Sequence, residues 1–172
     1  MILKICTGNE AKFREFESFF EWKLEWIRRD LPEPVADSET IVRFKASQLP
    51  ETLIDDAALF VEGEDLGTLI KWRMSELDRL IGRRAEFRCY LGIQRQERVE
   101  IFIGVVPGKI CSFQPGGFGF DGYFIPEGSS VSYAKSKDRE KNARYLAVQK
   151  FLQRKPDRLA NPLKEWNGEF QK

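Results

Sequence analysis

Ile2-Leu3-Lys4-Ile5-Cys6-Thr7-Gly8-Asn9-Glu10-Ala11-Lys12-Phe13-Arg14-Glu15-Phe16-Glu17-Ser18-Phe19-Phe20 is the stretch from which the fold class is read. The apolar run 2–6 has the length of a short strand, and Thr7-Gly8-Asn9 is turn chemistry. Phe13, Phe16 and Phe20 then recur at helical spacing, so the segment reads as strand, turn and helix. Leu24 and Trp26 alternate with Lys23 and Glu25 as a second, half-buried strand would. Asp30-Leu31-Pro32-Glu33-Pro34 carries two prolines and must be a loop. Val42, Ala46 and Leu49 predict a helix over 38–49, capped by Asp37 or Ser38 and ended by Pro50. Leu53-Ile54 leads into Asp55-Asp56, a carboxylate pair set inside an otherwise apolar stretch. Ile70, Met74, Leu77 and Ile81 predict a third amphipathic helix that stops at Gly82. Phe87 to Ile93 and Val99 to Val105 alternate as two long strands of an antiparallel hairpin. A last helix is predicted over 137–152, and the residues after Pro156 either pack or fray. The strands and helices alternate along the chain, which makes this an α/β protein.

A length of 172 residues fits one domain, 1–172. Lys plus Arg (28) nearly balance Asp plus Glu (27), so the basic excess needed for sequence-independent nucleic-acid binding is missing. No apolar run reaches the length of a bilayer span, and Met1-Ile2-Leu3-Lys4-Ile5 lacks the features of a secretory signal. A cytoplasmic protein is expected. Cys6, Cys89 and Cys111 are odd in number, sit in apolar stretches and read as buried free thiols. The chain has no histidine, which excludes His-based catalytic triads and His metal ligands. Proton transfer is left to carboxylates, lysine, tyrosine or cysteine.

Three clusters carry possible chemistry. Thr7-Gly8-Asn9 with Lys12 lies where a strand hands over to a helix, a place where N–H groups, the helix N-terminus and an ammonium can cradle phosphate. Asp55 and Asp56 repel one another unless water, lysine or a divalent ion screens them. With Glu33 they offer the oxygen donors that suit Mg²⁺. Phe118-Gly119-Phe120-Asp121 combines aromatic faces for stacking a base, close backbone approach and a carboxylate able to accept from a base N–H. Each also has a plain structural reading: a tight turn with a surface lysine, a solvated acidic turn, an aromatic core plug. Lys45 and Lys71 sit on predicted helices and read alone as solvated-face lysines.

Taken together and in this order, the pieces resemble the inosine/xanthosine triphosphate pyrophosphatase family, whose members remove deaminated purine nucleotides. Thr7-Gly8-Asn9 with Lys12 is similar to the family's T-G-N-x-x-K loop, and Asp30-Leu31-Pro32-Glu33 to its D-L-P-E segment. Lys45-Ala46, Asp55-Asp56 and Ile70-Lys71-Trp72 match further motifs. Gly117-Phe118-Gly119-Phe120-Asp121 resembles the base loop, and Glu140-Lys141-Asn142 the approach to the last helix. The family's Ser-His-Arg after this triplet is not present: the chain continues Ala143-Arg144-Tyr145, with Arg144 as a stand-in for the arginine. The Gly-rich stretch after the paired acids is shortened to Glu64-Asp65-Leu66-Gly67-Thr68.

The resemblance implies an elongated mixed central β-sheet flanked by helices, two lobes around a cleft, and commonly a homodimer. It implies Mg²⁺ held by Glu33 and Asp56, with Asp56 and Asp55 as catalytic acids. Thr7, Gly8, Asn9, Lys12, Lys45, Lys71 and Lys141 would serve the phosphates, and Phe118, Gly119, Phe120, Asp121 and Arg144 the base. The implied reaction splits ITP, dITP or XTP into monophosphate and pyrophosphate. Two other readings stand beside it: a pyrophosphatase for pyrimidine or modified nucleotides, and a nucleotide-binding module with weakened catalysis.

Overall fold

In the computed structural model, which describes all 172 residues, Ile2–Cys6 forms β1, Glu10–Phe19 α1 and Lys23–Ile27 β2. β1 runs parallel to β2, with Ile2 opposite Lys23 and Cys6 opposite Ile27. On its other side it runs parallel to β3, Thr52–Val61. Parallel neighbours need a crossover, supplied by α1 and then by α2, Ser38–Gln48. Asn9 caps α1 by accepting from the Lys12 N–H, and Asp37 caps α2 by accepting from the Thr40 N–H at 2.9 Å. The hairpin is present as β4, Arg84–Arg95, and β5, Arg98–Ile110, closed by Gln96 and Glu97. Phe124–Pro126 (β6) and Arg158–Ala160 (β7) both pair antiparallel with β5. The result is a mixed seven-stranded sheet in the order β2-β1-β3-β4-β5-β6, with β7 also on β5.

The chain forms two compact units. The first comprises 1–56, 90–103 and 147–172, the second 57–89 and 104–146. β3, β4 and β5 each contribute to both, as does the last helix, α3, Ala143–Leu152. In the first unit, Val42 and Ala46 of α2 pack on Cys6, Leu31, Ile54, Val99 and Ile101. A second apolar group there is aromatic, with Phe151 of α3 edge-on to Phe20 and Phe102. In the second unit, Phe87 meets Phe120, Phe124 and Tyr133 at centroid distances of 5.1, 6.4 and 5.9 Å. All three cysteines are free and buried, as the composition suggested.

Two expectations change and one open alternative is decided. Residues 70–81 form two 3₁₀ segments, Ile70–Trp72 and Met74–Leu80, instead of one α-helix. Arg73 and Arg79 both pair with Glu76 at i,i+3, and the buried residues are Ile70, Leu77 and Leu80. Ile81, counted as core, is 53% exposed. The last α-helix begins at Ala143, because Asp138 caps a separate 3₁₀ turn, Arg139–Lys141. The segment after Pro156 packs: beyond β7 it crosses α2, where Leu163 N–H donates to Ser47 Oγ and Gln48 Nε2 to Lys164 O. It ends beside the Glu33 loop.

Candidate active site

Lys12, Glu33, Lys45 and the adjacent Asp55 and Asp56 come from four places in the sequence and meet in the first unit. β1 ends at Cys6, and the chain turns through Thr7-Gly8-Asn9 into α1. Thr7 is buried; its hydroxyl accepts from the Asn9 N–H at 3.2 Å, and its carbonyl accepts from Trp26 Nε1 at 2.8 Å. Gly8 is needed for space: a β-carbon there would overlap the Asp30 carboxylate, which lies against the turn. Its φ is not positive, so the left-handed turn that a glycine invites is not its reason. The turn thereby fixes the start of the Asp30–Glu33 loop.

From the first turn of α1, Lys12 Nζ reaches Asp55 Oδ2 at 3.2 Å. From α2, Lys45 Nζ donates to Glu33 Oε1 at 3.1 Å and to the Asp55 carbonyl at 3.4 Å. Two lysines therefore provide the cations that adjacent acids require. Burial alone would push the Lys45 amine down, but Glu33, Asp56 and Asp55 outweigh it and hold it above its ordinary value. Asp56 behaves in the opposite way. It is 6% exposed, and burial lifts its carboxyl to about 6, against the pull of Lys45 and with a further push from Glu33. Its Oδ2 is buried without a hydrogen-bond partner; Ser38 at the start of α2 lies near it without completing a bond. Such an oxygen is desolvated and uncompensated, the condition expected of a group that waits for a cation or a proton. No three acidic or thiol side chains converge as a preformed metal cage. The donors that fit a hard cation are Glu33 and Asp56, all oxygen, with one oxygen unsatisfied.

The other site residues lie in the second unit. Asp121 is 4% exposed, and its carboxylate takes Lys137 Nζ at 3.0 and 3.1 Å and the Phe118 N–H at 3.1 Å. Gly117 has φ +65, and a β-carbon on it would press on Asp121. Phe118 is half-buried, with Lys137 Nζ 4.3 Å from its ring centre and the Arg144 guanidinium carbon 5.9 Å away. Arg144 is itself 1% exposed and also 6.0 Å from the Phe87 ring. Phe120, expected as a stacking face, is buried in the Phe87 and Phe124 rings and is a core residue. Phe118 is the ring left to serve that purpose. Lys71 lies over Trp72 at 4.9 Å, and Lys141 Nζ donates to the Gly128 carbonyl at 2.9 Å. Lys137 was not legible in the sequence, where it is one charge in the run Lys135 to Lys141.

Residues 3–154 match the Ham1 family. The chain is 30% identical over 167 residues to a dITP/XTP pyrophosphatase of Hyperthermus butylicus, covering 82% of this chain and 86% of that protein. It is 31% identical over 165 residues to a dITP/XTP pyrophosphatase of Pyrococcus horikoshii, covering 83% and 89%. Among solved structures, a HAM1 protein from Coxiella burnetii superposes with a TM-score of 0.71 at 20% identity, over 88% of this chain and 96% of that one.

Proposed function

Because the chain belongs to the Ham1 family, we propose that it hydrolyses deaminated purine nucleoside triphosphates, dITP, ITP and XTP, to the monophosphate and pyrophosphate. The observation that carries this reading is the buried set Lys12–Asp55, Asp56 and Lys45–Glu33 behind the Thr7-Gly8-Asn9 turn. A triphosphate is strongly anionic, and attack at its α-phosphorus needs charge neutralisation, an in-line water and a proton acceptor. The α1 N-terminus and the Lys12 ammonium supply fixed positive ends for phosphate oxygens. Lys45 on Glu33 and Lys12 on Asp55 offset two of the three carboxylate charges, which leaves the excess negative charge for a cation. Asp56, whose carboxyl burial raises to about 6 in the metal-free site, is mostly ionised at neutral pH and so available to hold the ion or to orient the attacking water. Asp55 is held by the Lys12 ammonium at 3.2 Å, beside Asp56 on the same strand.

The family's pyrophosphatases are metal-dependent, and Mg²⁺ is the ion we assign, with Glu33 and Asp56 as its protein donors. When bound, it would neutralise phosphate charge and polarise the bond that breaks. In the second unit, we assign Phe118 to stacking and Arg144 and Lys137 to the base's oxygen edge; Asp121 holds Lys137 and the loop. A homodimer in the cytoplasm remains the expected setting; no helix is long and apolar enough to cross a membrane. The test is product analysis with Mg²⁺ and a panel of ITP, dITP, XTP, GTP, ATP and pyrimidine triphosphates. Pyrophosphate and monophosphate from the deaminated purines are expected. Release of orthophosphate, or a preference for pyrimidines, would overturn the assignment.

A further inference from the structure

The family match ends at residue 154, yet the segment beyond it runs back to the acid loop of the first unit. Val35 N–H donates to Glu169 O at 2.9 Å, and Gln171 N–H donates to Glu33 O at 2.8 Å. Pro34 and Phe170 face each other as an antiparallel bridge, and the Phe170 ring sits 5.7 Å from Phe44 of α2. The Glu33 loop lies between two prolines, so it has few backbone donors of its own to anchor it. Its two flanking main-chain bonds are made by residues 169–171. We propose that this segment is a positioning strap: by pairing with residues 33–35 it fixes the Glu33 backbone so that the carboxylate is presented beside Lys45 and Asp56 for the divalent ion. This rests on the reading of Glu33 as a metal donor. The strap touches no reacting atom and acts through Glu33. The physical argument is entropic, since a ligand on an untethered loop must be ordered each time the ion binds, whereas a paired one is already in place.

Two variants at one position test it. Gln171→Pro removes the N–H that bonds Glu33 O, while Gln171→Ala keeps it; both lose the long side-chain bond from Nε2 to Pro34 O at 3.4 Å, so the difference between them reads the main-chain bond. Mn²⁺ binding is measured by paramagnetic resonance titration of the full-length protein without nucleotide, and hydrogen exchange is followed across residues 31–36. Gln171→Pro is expected to weaken Mn²⁺ by about tenfold and speed exchange in the loop, with Gln171→Ala like wild type. In turnover, the Mg²⁺ concentration for half-maximal rate should rise while kcat at saturating Mg²⁺ is retained. Phe170→Ala, which loosens the ring contact and leaves the Gln171 N–H, should fall between them. Glu33→Gln is the reference. If it weakens Mn²⁺ and Gln171→Pro does not, the strap has no positioning role and the proposal is overturned. If Glu33→Gln leaves Mn²⁺ binding unchanged, Glu33 is not a donor and both readings fall. A lower melting temperature in Gln171→Pro with wild-type ion affinity would mark a merely structural role and equally overturn the proposal.

Discussion

Asp56 is a residue whose stability and chemistry pull in opposite directions. Its carboxyl rises from an ordinary 3.8 to about 6, which at neutral pH corresponds to a destabilisation of about 3 kcal/mol while the group is ionised and alone. The folded chain holds a proton that the unfolded chain has released, so this group's contribution is intact below pH ~4 and is lost as pH rises through about 6. Asn does not titrate. The melting temperature of Asp56→Asn in EDTA should therefore match wild type near pH 4 and exceed it by pH 7. A constant difference across that range would contradict the burial argument. Gly8 gives a second prediction at this scale. Gly8→Ala forces the Asp30 carboxylate aside, and the cost expected for such overpacking is about 1–3 kcal/mol. A wild-type melting temperature would show that Asp30 can leave without consequence. The Gly8–Asp30 contact was not legible in the sequence, because it joins residues from two loops; that a cation must sit beside the adjacent carboxylates was legible, but not that Lys12 supplies it.

Among the elements, α1, α2 and the β4–β5 hairpin could be read directly, because apolar period, caps and turn residues agreed there. Asn9 and Asp37 do cap their helices. Residues 70–81 could not, because an apolar spacing of four, three and four does not separate one α-helix from two short 3₁₀ segments. The aromatic loop was half legible: its glycines and Asp121 form the turn, but which ring faces inward depends on Phe87 and Phe124, distant in sequence. Two predictions belong here. Lys12→Ala removes a charge at the start of α1 and should weaken triphosphate binding far more than nucleoside binding in a titration. Equal losses would place Lys12 away from phosphate. Asp121→Asn breaks the hold on Lys137, the ammonium assigned to the base's oxygen edge, and should therefore lower the preference for ITP over ATP in kcat/KM. A KM raised equally for every purine triphosphate would mean that Lys137 does not read the base.

For the whole molecule, the chain is interleaved: β3, β4, β5 and α3 each belong to both compact units, so neither unit is a contiguous stretch that sequence reading would have separated. The buried acids and lysines lie in the first unit and the aromatic loop in the second, and the proposed hydrolysis is assigned to the first. The most direct measurement is single-turnover pyrophosphate release with enzyme in excess over ITP and Mg²⁺ saturating, wild type against Asp56→Asn, with the melting temperature of both recorded in EDTA. The account predicts a loss of at least about a hundredfold in rate and a melting temperature no lower than wild type. Release at near the wild-type rate by the folded variant would contradict it.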